Sequence, residues 1–567
     1  MKGLRTLNPG WQAICLVWSG VGSIGHDEEG LWFKRREPAL IVLENFEIIF
    51  TPRVQVAGQA ETRPPSLPLQ RRGQEANAAG QPNFETKPKE ESMADQDIAL
   101  MAHLLRRAGF SASLTEIEAC AAKGYDAVVE ELLNPEKQPS LEDDLLMRYH
   151  PAYVQAAGIE TNVQEWVYRL INNPRQLQEK MALFWHMIFC AGHSKLDHGK
   201  EMGVMIALFR EHGIGNFHDL LMVLSTSPQM MYYLDNTESH AVAINENYGR
   251  ELLELFSLGV GKDNAMNYTE DDVKACARAF TGWNVAPAYP VFPYGRSVWQ
   301  FRYDPADHDD SEKTFLGQTG RWNGEDIIDI VCKQPATARF ISRHLYNFFV
   351  ADEVPVPSWR LTPPKDPKAI ETLEKAYFDS GYEIKAMLRA LLTSDFFKDP
   401  SARFARVKSP AEMVIGLMRQ VGEHRNEIRP GLFEISQEPK FMGMDLMNPP
   451  TVEGWHTGQE WIDSGTLVER VNFAAGCLGR TDLPGVRKMV ERVTPKGERL
   501  APEEFVNRCI DVVGNTNIAD STREALVANV KKGGDIRLST GAERSDFTRR
   551  CGEMFQMIAA TAEFQFC

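Results

Sequence analysis

Apolar residues recur three to four positions apart through most of residues 93–567, which is the period of an α-helix that buries one face. The first such run places Ile98, Met101 and Leu105 on one face of a helix. Strand patterns are confined to about residues 289–318, where they predict a single β-hairpin. We therefore predict a mainly α protein, a large multi-helix body with one small β-hairpin excursion.

Two of these helices carry start signals that the chemistry of a helix end explains. Ser113 is followed three positions later by Glu116, an arrangement in which each side chain accepts a hydrogen bond from the other residue's backbone N–H. Thr269 precedes three acidic residues, which place an accepting oxygen and negative charge at the positive end of a helix dipole. Both patterns predict that a helix begins at these positions.

Residues 1–92 differ from the rest of the chain. Residues 51–92 are rich in Pro, Gln and Gly and lack apolar periodicity, so we expect them to be disordered. Positive and negative charges balance within 1–92, and the net charge of −16 therefore belongs to the residues from Met93 onward. We interpret 1–92 as a disordered or non-native extension, with Met93 as the natural start. A helical region over 93–400 and a second one over 401–567, packed on it, complete the prediction.

Composition limits the partners and the compartment. The excess of acidic residues disfavours a nonspecific grip on nucleic acid or on an anionic membrane, and no apolar run is long enough for a membrane span. The nine cysteines stand singly, without a Cys-x-x-Cys pair, which argues against a disulfide framework and against a structural zinc site. We predict a cytoplasmic protein, with export as the alternative if residues 13–24 form a signal peptide.

The densest polar cluster lies on a predicted helix over residues 240–258. Glu251 and Glu254 share one face of this helix, while Glu246 and Arg250 pair at i, i+4 on an adjoining face. Two acids beside a guanidinium can act as a base, a metal ligand or a carboxylate clamp, because crowded charges shift pKa values. A structural network of ion pairs explains the same pattern, so the residues alone leave both interpretations open.

Two histidines extend the candidate site. His186 lies on an aromatic helix over 175–191, where it serves a pocket or a polar position in the core; with Cys190 and His193 it also has the spacing of metal ligands. His308 and Asp309 adjoin in the predicted hairpin turn, either as a general base and its neighbour or as a turn that Asp stabilises. We assign no metal ligand set and no cofactor to these patterns.

Two further segments carry polar or aromatic groups. A helix over 335–350 holds Arg339 and Arg343 one turn apart. Their guanidinium groups bind a carboxylate or phosphate or, more simply, form ion pairs with the acids of residues 246–254. Residues 448–461 contain two tryptophans and a histidine in a helix-free loop, which forms the wall of a site or fills the core. No nucleophile elbow, phosphate loop, dinucleotide fingerprint or His-Glu-x-x-His helix occurs after residue 92, which disfavours the familiar hydrolase, kinase, dehydrogenase and zincin mechanisms.

Seven runs that carry these groups follow one another along the chain: 103–110, 184–186, 245–261, 268–270 with 280–283, 313–317, 334–350 and 448–461. Taken together, they resemble the large bacterial family known as domain of unknown function 1800, over about residues 100–567. The resemblance implies a bacterial, mainly helical protein without an assigned activity or catalytic residue. It also implies a partner, because such proteins are often encoded beside secreted, alkaline-phosphatase-like proteins.

These patterns support two functional hypotheses. The first is an enzyme of acid/base or metal-assisted hydrolysis, with Glu251 or Glu254 as base or ligand, His186 as proton carrier and Arg250 as anion clamp. The second is a noncatalytic binding or assembly partner of the neighbouring alkaline-phosphatase-like protein, in which the same residues are internal struts. Both hypotheses require that these side chains meet inside the helical body.

Overall fold

The protein is described here by a computed structural model, and 23 α-helices form most of its secondary structure within the described residues. Every sheet among these residues has two strands. The prediction of a mainly α protein is confirmed. Apart from four short strands between residues 24 and 51, the predicted extension 1–92 lies outside the described residues. The described residues after the extension are 93–141, 158–262, 265–286, 299–425, 430–514 and 518–567.

Sixteen helices of the described chain precede residue 400. Short loops join many of the consecutive helices, so that sequence neighbours often pack on each other. Their bounds are α1 Met93–Arg107, α2 Leu114–Lys123, α3 Tyr125–Leu133, α4 Ile159–Asn172, α5 Gln176–Ile188, α6 His193–Leu196, α7 Gly199–His212, α8 Phe217–Ser225, α9 Pro228–Tyr233, α10 Asn247–Glu254, α11 Glu270–Ala279, α12 Gly324–Cys332, α13 Pro335–Phe349, α14 Pro367–Asp379, α15 Ile384–Thr393 and α16 Asp395–Lys398.

Seven more helices of the described chain follow residue 400. None of the helices in the described ranges combines the length and the apolar character that crossing a bilayer requires. The bounds of the seven are α17 Pro410–Val421, α18 Leu432–Phe441, α19 Ser464–Leu478, α20 Pro484–Val493, α21 Pro502–Gly514, α22 Asp520–Lys532 and α23 Gly541–Ala559.

Hydrogen bonds at the helix starts explain where several helices begin. At the start of α2, Ser113 Oγ accepts the N–H of Glu116 at 3.4 Å, and the Glu116 carboxylate accepts the N–H of Ser113 at 2.8 Å. The same reciprocal pair joins Thr269 and Asp272 at the start of α11, at 3.2 and 2.8 Å. Both predicted helix starts are confirmed, since each pair satisfies two N–H groups near the helix start.

The strands form short antiparallel pairs. They are β1 Ile24–Asp27 with β2 Gly30–Phe33, β3 Leu40–Glu44 with β4 Glu47–Thr51, β5 Gly261–Lys262 with β6 Ala265–Met266, β7 Trp283–Val285 with β8 Phe301–Tyr303, β9 Lys313–Phe315 with β10 Gln318–Gly320, and β11 Arg499–Leu500 with β12 Ile536–Arg537. Strands therefore occur where the hairpin was predicted, but the pairing differs. β8 pairs with the earlier strand β7, and β9 pairs with β10. Residues 287–298 of this region lie outside the described residues.

Helix α5 lies in the core. Nearly all of its side chains are buried, and it packs on α4 and α7. The indole ring of Trp185 stacks on Phe189 with centroids 4.9 Å apart, and its N–H donates to the Gly213 carbonyl at 2.8 Å, as a buried indole requires. The last turn of α5, at Met187 and Ile188, is thereby held in place beneath the candidate site described below.

A buried charge network joins segments that are far apart in the sequence. Glu412, at the start of α17, binds Lys180 of α5 and Arg406, and it also accepts the N–H of Ser409 at 2.8 Å. The three charged side chains are at most 6% exposed. Helices α17 and α18 also pack on α4. These contacts join residues on the two sides of position 400, and the proposed division there remains a prediction.

Candidate functional site

A cleft of about 120 Å³ brings together four of the segments predicted to carry functional groups. Its walls come from the last turns of α5, the end of α10, the middle of α13 and residues 453–457. Glu254 and Glu453 contribute carboxylates to this lining, and His344 and His456 contribute imidazoles. The rest of the lining is mainly apolar and aromatic. A concave apolar cleft with a few polar groups is the usual form of a small-molecule site.

Helix α10 carries one of the predicted acids, Glu254, to this cleft, with Glu251 one turn before it. It begins at Asn247, where Asn245 Oδ1 accepts the Asn247 N–H at 2.9 Å, so the predicted helix over 240–258 is wrong at its start. The regular helix ends at Glu254, and a turn closes it at Gly259, whose N–H donates to the Leu253 carbonyl at 3.1 Å. Glu254 consequently stands at the end of the helix, in the cleft wall.

The carboxyl group of Glu251 is only partly accessible to solvent. Burial raises its pKa to about 7, the charge of Glu254 adds to the effect, and Glu453 acts in the same direction, while Arg250 opposes them. A carboxyl group with this pKa gains and loses its proton near neutral pH. That property is what a general acid or base needs under physiological conditions.

Glu254 is oriented by a tyrosine. The Tyr268 hydroxyl donates a hydrogen bond to Glu254 Oε2 at 3.0 Å. Burial raises the pKa of Tyr268, and the negative charge of Glu254 raises it further. Tyr268 therefore stays protonated at neutral pH and fixes one carboxylate oxygen of Glu254, since its hydroxyl must donate this hydrogen bond.

The loop that follows Pro450 carries a second acid together with a histidine. His456 Nδ1 lies 2.5 Å from Glu460 Oε2, and His456 Nε2 lies 4.0 Å from Glu453 Oε2. A carboxylate at one ring nitrogen orients an imidazole and leaves the other nitrogen available for proton transfer. The three side chains are about half exposed, so a small molecule reaches them from solution.

Gly454 seats this loop against α5. Its φ is +83°, and a Cβ at this position would lie 2.6 Å from the Met187 carbonyl oxygen and 2.7 Å from Cys190 Sγ. The adjacent Trp455 is buried, and its ring meets the His186 ring edge-on with centroids 5.3 Å apart. Only glycine fits here without strain. The close approach of the loop to α5 therefore fixes the positions of Glu453 and His456.

Arg250 and Glu246 lie on the outer side of α10. The predicted i, i+4 pair is present, with Arg250 Nη2 3.5 Å from Glu246 Oε2. The same guanidinium makes two shorter bonds, of 2.7 and 2.9 Å, to the carboxylate of Glu270 at the start of α11. The guanidinium group therefore already binds a carboxylate of the protein, and fewer of its N–H groups are available to bind an anion from solution.

His186 is enclosed in the core, behind the wall that Trp455 contributes to the cleft. Its ring packs between Trp166 and Trp455, and its Nε2 accepts the N–H of Met447 at 3.1 Å. Burial lowers its pKa to about 3, so the ring is neutral at physiological pH. This geometry favours the polar core position over a proton carrier.

The metal spacing around His186 is not formed. Helix α5 ends at Ile188, and His193 begins the next helix, so Cys190 and His193 do not continue the helical stripe. Cys190 Sγ instead donates to the His186 carbonyl at 3.2 Å. Within the described ranges, no group of three His, Cys, Asp or Glu side chains is arranged to hold a metal ion.

His308 and Asp309 lie beside the end of α11, and neither lines the cleft. His308 Nδ1 lies 2.9 Å from the Thr281 carbonyl, and Asp309 accepts a hydrogen bond from Arg278 Nε at 2.6 Å. Burial alone would raise the pKa of Asp309, but the bond from Arg278 holds it well below its usual range. Both contacts anchor the segment before β9 to α11.

The two arginines of α13 have partners other than those predicted. Arg339 pairs with Glu374 of α14 at 3.1 Å, and Arg343 pairs with Glu353 at 2.7 Å in a buried position. The interpretation that these arginines form ion pairs with the acids of α10 is therefore wrong. α14 packs on α13, and the segment after α13 folds back onto it, so nearer acids take both guanidinium groups.

Three ionisable residues of the cleft were not predicted as site residues: Glu453, His456 and His344. His344 Nε2 is buried and has no hydrogen-bond partner in the part of the chain that the structure describes, and burial lowers the pKa of this ring to about 3. A signal was present for His456, which has a glutamate three positions before it and another four positions after it.

Replacing Glu251 with glutamine should stabilise the protein at pH 8 by about 1 kcal/mol, after allowance for the screening of a partly exposed group. The folded pKa of about 7 lies above the ordinary value of 4.5, so the wild type loses stability as pH rises from about 4.5 to about 7. Glutamine cannot ionise, and the difference should vanish at pH 4. Urea unfolding at both pH values measures it. The exposed Glu371, changed to glutamine, should show the same small effect at both.

One family model, described as "Protein of unknown function (DUF1800)", matches residues 103–566. The matched range contains every segment that lines the cleft. The comparisons with curated proteins and with solved structures gave no match. Because the family model covers most of the sequence, the chain belongs to the DUF1800 family of proteins of unknown function.

Proposed function

We propose that the cleft at the end of α10 is the active site of an acid/base hydrolase in which Glu251 transfers the proton. One observation carries this proposal. A partly buried carboxyl group with a pKa of about 7 stands close enough to Glu254 and Glu453 to respond to their charges, beside an apolar cleft. A shifted pKa in a cleft, with a named physical cause, is a recurring property of acid/base sites.

The polar groups of the cleft take the two proton-transfer roles of a hydrolase. Hydrolysis needs one group that takes a proton from water and another that gives a proton to the leaving group. Glu251 is protonated for part of the time near neutral pH and gives the proton. Glu254, held by Tyr268, and His456, held by Glu460, are placed to accept the proton of the attacking water.

This proposal is tested with a panel of four chromogenic substrates: p-nitrophenyl acetate, p-nitrophenyl butyrate, p-nitrophenyl phosphate and p-nitrophenyl β-glucoside. We expect turnover of one class, and Glu251→Gln should lower its kcat/KM by about 10²- to 10⁴-fold, the usual contribution of a general acid or base. The pH profile should lose the limb near pH 7 in the same variant. Glu371→Gln, on the exposed face of α14, is the matched control and should keep full activity.

Equal activity in the two variants would contradict the assignment of Glu251. A preparation that turns over none of the four substrates would count against the hydrolysis of simple esters, phosphate monoesters and glucosides. Melting curves of both variants distinguish the loss of proton transfer from the loss of the folded structure. If Glu251 had only a structural role, its replacement would lower the melting temperature together with the activity.

The noncatalytic role, as a partner of an alkaline-phosphatase-like protein, remains the alternative proposal, together with a cytoplasmic location and export as its alternative. Copurification of the tagged full chain from its native host tests the partner. Fractionation of the same cells tests the location. Recovery of a phosphatase-like protein in equal amounts, from a chain whose Glu251→Gln variant behaves as the wild type, would favour assembly over catalysis.

A further inference from the structure

The cleft lining in the described chain carries two carboxylates, and its basic groups are the imidazoles of His344 and His456. Among the described residues the lining includes Glu254 and Glu453 but neither lysine nor arginine. Arg250, on the outer side of α10, is held by Glu270 at 2.7 Å, as shown above. The carboxylates of the cleft are therefore available to a positive charge from solution.

Aromatic rings form much of the remaining wall. Trp455, Phe340 and Phe184 come from three different segments and all line the cleft. The face of an aromatic ring attracts a cation, and an alkylated ammonium group gains most because it carries little bound water. A hydrated metal ion gains little from such walls, since it prefers oxygen ligands in a fixed geometry. The combination of acids and rings points to an organic cation.

A half-buried histidine in the cleft wall has a ring nitrogen without a partner among the described residues. His344 lines the cleft, and its Nε2 is buried without a hydrogen-bond partner among the described residues. Its ring is wedged between Phe340 and Trp359, with centroid distances of 4.3 and 4.6 Å. An unpaired buried nitrogen is costly, so a shift of this wall that let a bound molecule hydrogen-bond to it would be favourable.

The size of the cleft limits the ligand. Its volume is about 120 Å³, and a cavity of ~150 Å³ is enough to hold benzene. A compact trimethylammonium group is therefore of more suitable size than an aromatic amine, which is larger than benzene, with the rest of the molecule extending past Glu453 toward solvent.

We propose that this cleft binds an organic cation, an ammonium group on a small apolar body, with its charge at Glu254 and Glu453 and its apolar surface on the aromatic wall. This proposal rests on the proposed function and names its substrate class. It is nonetheless a statement about binding, and it can be measured without turnover.

Choline and its uncharged isostere 3,3-dimethylbutan-1-ol test the proposal, because they have the same shape and differ in charge. We expect the full chain to bind choline about tenfold or more tightly than the alcohol at pH 8, measured by calorimetry and by the quenching of tryptophan fluorescence. Glu254→Gln and Glu453→Gln should each remove most of this preference. Glu371→Gln should leave it intact.

Equal or tighter binding of the alcohol would overturn the proposal, and so would the absence of choline binding up to 50 mM. The comparison of the two probes on the wild type needs no variant, so a variant that fails to fold cannot hide the result. Choline binding without turnover of any chromogenic substrate would reject the hydrolase and keep the cation site. Turnover without a preference for choline would do the reverse.

Discussion

Glu412→Ala should lower the free energy of unfolding by about 3–5 kcal/mol, the usual cost of removing one partner from a buried ion pair. The substitution would leave the Lys180 ammonium and the Arg406 guanidinium, both at most 3% exposed, without their shared carboxylate. It would also free the N–H of Ser409, which donates to the same carboxylate at 2.8 Å. Together these losses make this the largest stability effect that we expect from a single change.

Urea unfolding followed by circular dichroism measures this effect, and an exposed pair provides the control. Glu130 binds Arg389 at 2.6 Å with both side chains roughly half exposed, so Glu130→Ala should cost at most about 1 kcal/mol. Glu412→Gln, which keeps an acceptor for the two cations, should lie between these values. A loss below 1 kcal/mol for Glu412→Ala would show that the buried cations find other partners.

Gly454→Ala should destabilise the protein by about 2–4 kcal/mol, through backbone strain and steric overlap together. The residue has a φ of +83°, and the new Cβ would meet the Met187 carbonyl oxygen at 2.6 Å and Cys190 Sγ at 2.7 Å. The loop must then move away from α5 and carry Glu453 with it. We therefore also expect weaker choline binding in this variant.

Gly381 is a matched control because it has a similar φ of +68° but no atom within 4 Å of the position of a Cβ. Gly381→Ala should cost about 1 kcal/mol, which is the conformational part alone. Thermal and urea unfolding of both variants separates the two contributions. Equal losses of unfolding free energy at the two glycines would mean that the loop can move away from α5 at no cost. The contact between the loop and α5 would then not position the cleft.

The fold class and several helix starts were predictable because they depend on residues within four positions of each other. Ser113 and Glu116 meet across one turn, and so do Thr269 and Asp272. The start of α10 was not predictable in this way, since the preceding residues fold into a tight turn in which Ser239 Oγ accepts the N–H of Asn245.

The candidate site was predicted in part. Glu251 and Glu254 were singled out from their crowding on one helix, and the structure places Glu254 in the cleft and Glu251 within range of its charges. His186 was predicted as a candidate because it is a polar residue in an aromatic helix. Its ring is buried, however, and burial lowers its pKa so that the ring is neutral. Spacing within a helix does not report which of its faces meets solvent, a cavity or another helix.

Local interactions encoded in neighbouring residues were sufficient to establish a mainly helical protein, the caps of its helices and one crowded acidic face. Long-range packing alone selected the partners of each charge. It paired Arg343 with Glu353 and brought Glu453 near Glu254 across about two hundred residues of chain. The physical reason is that a side chain's pKa and its binding partners depend on distances and burial in space, which separation along the chain does not determine.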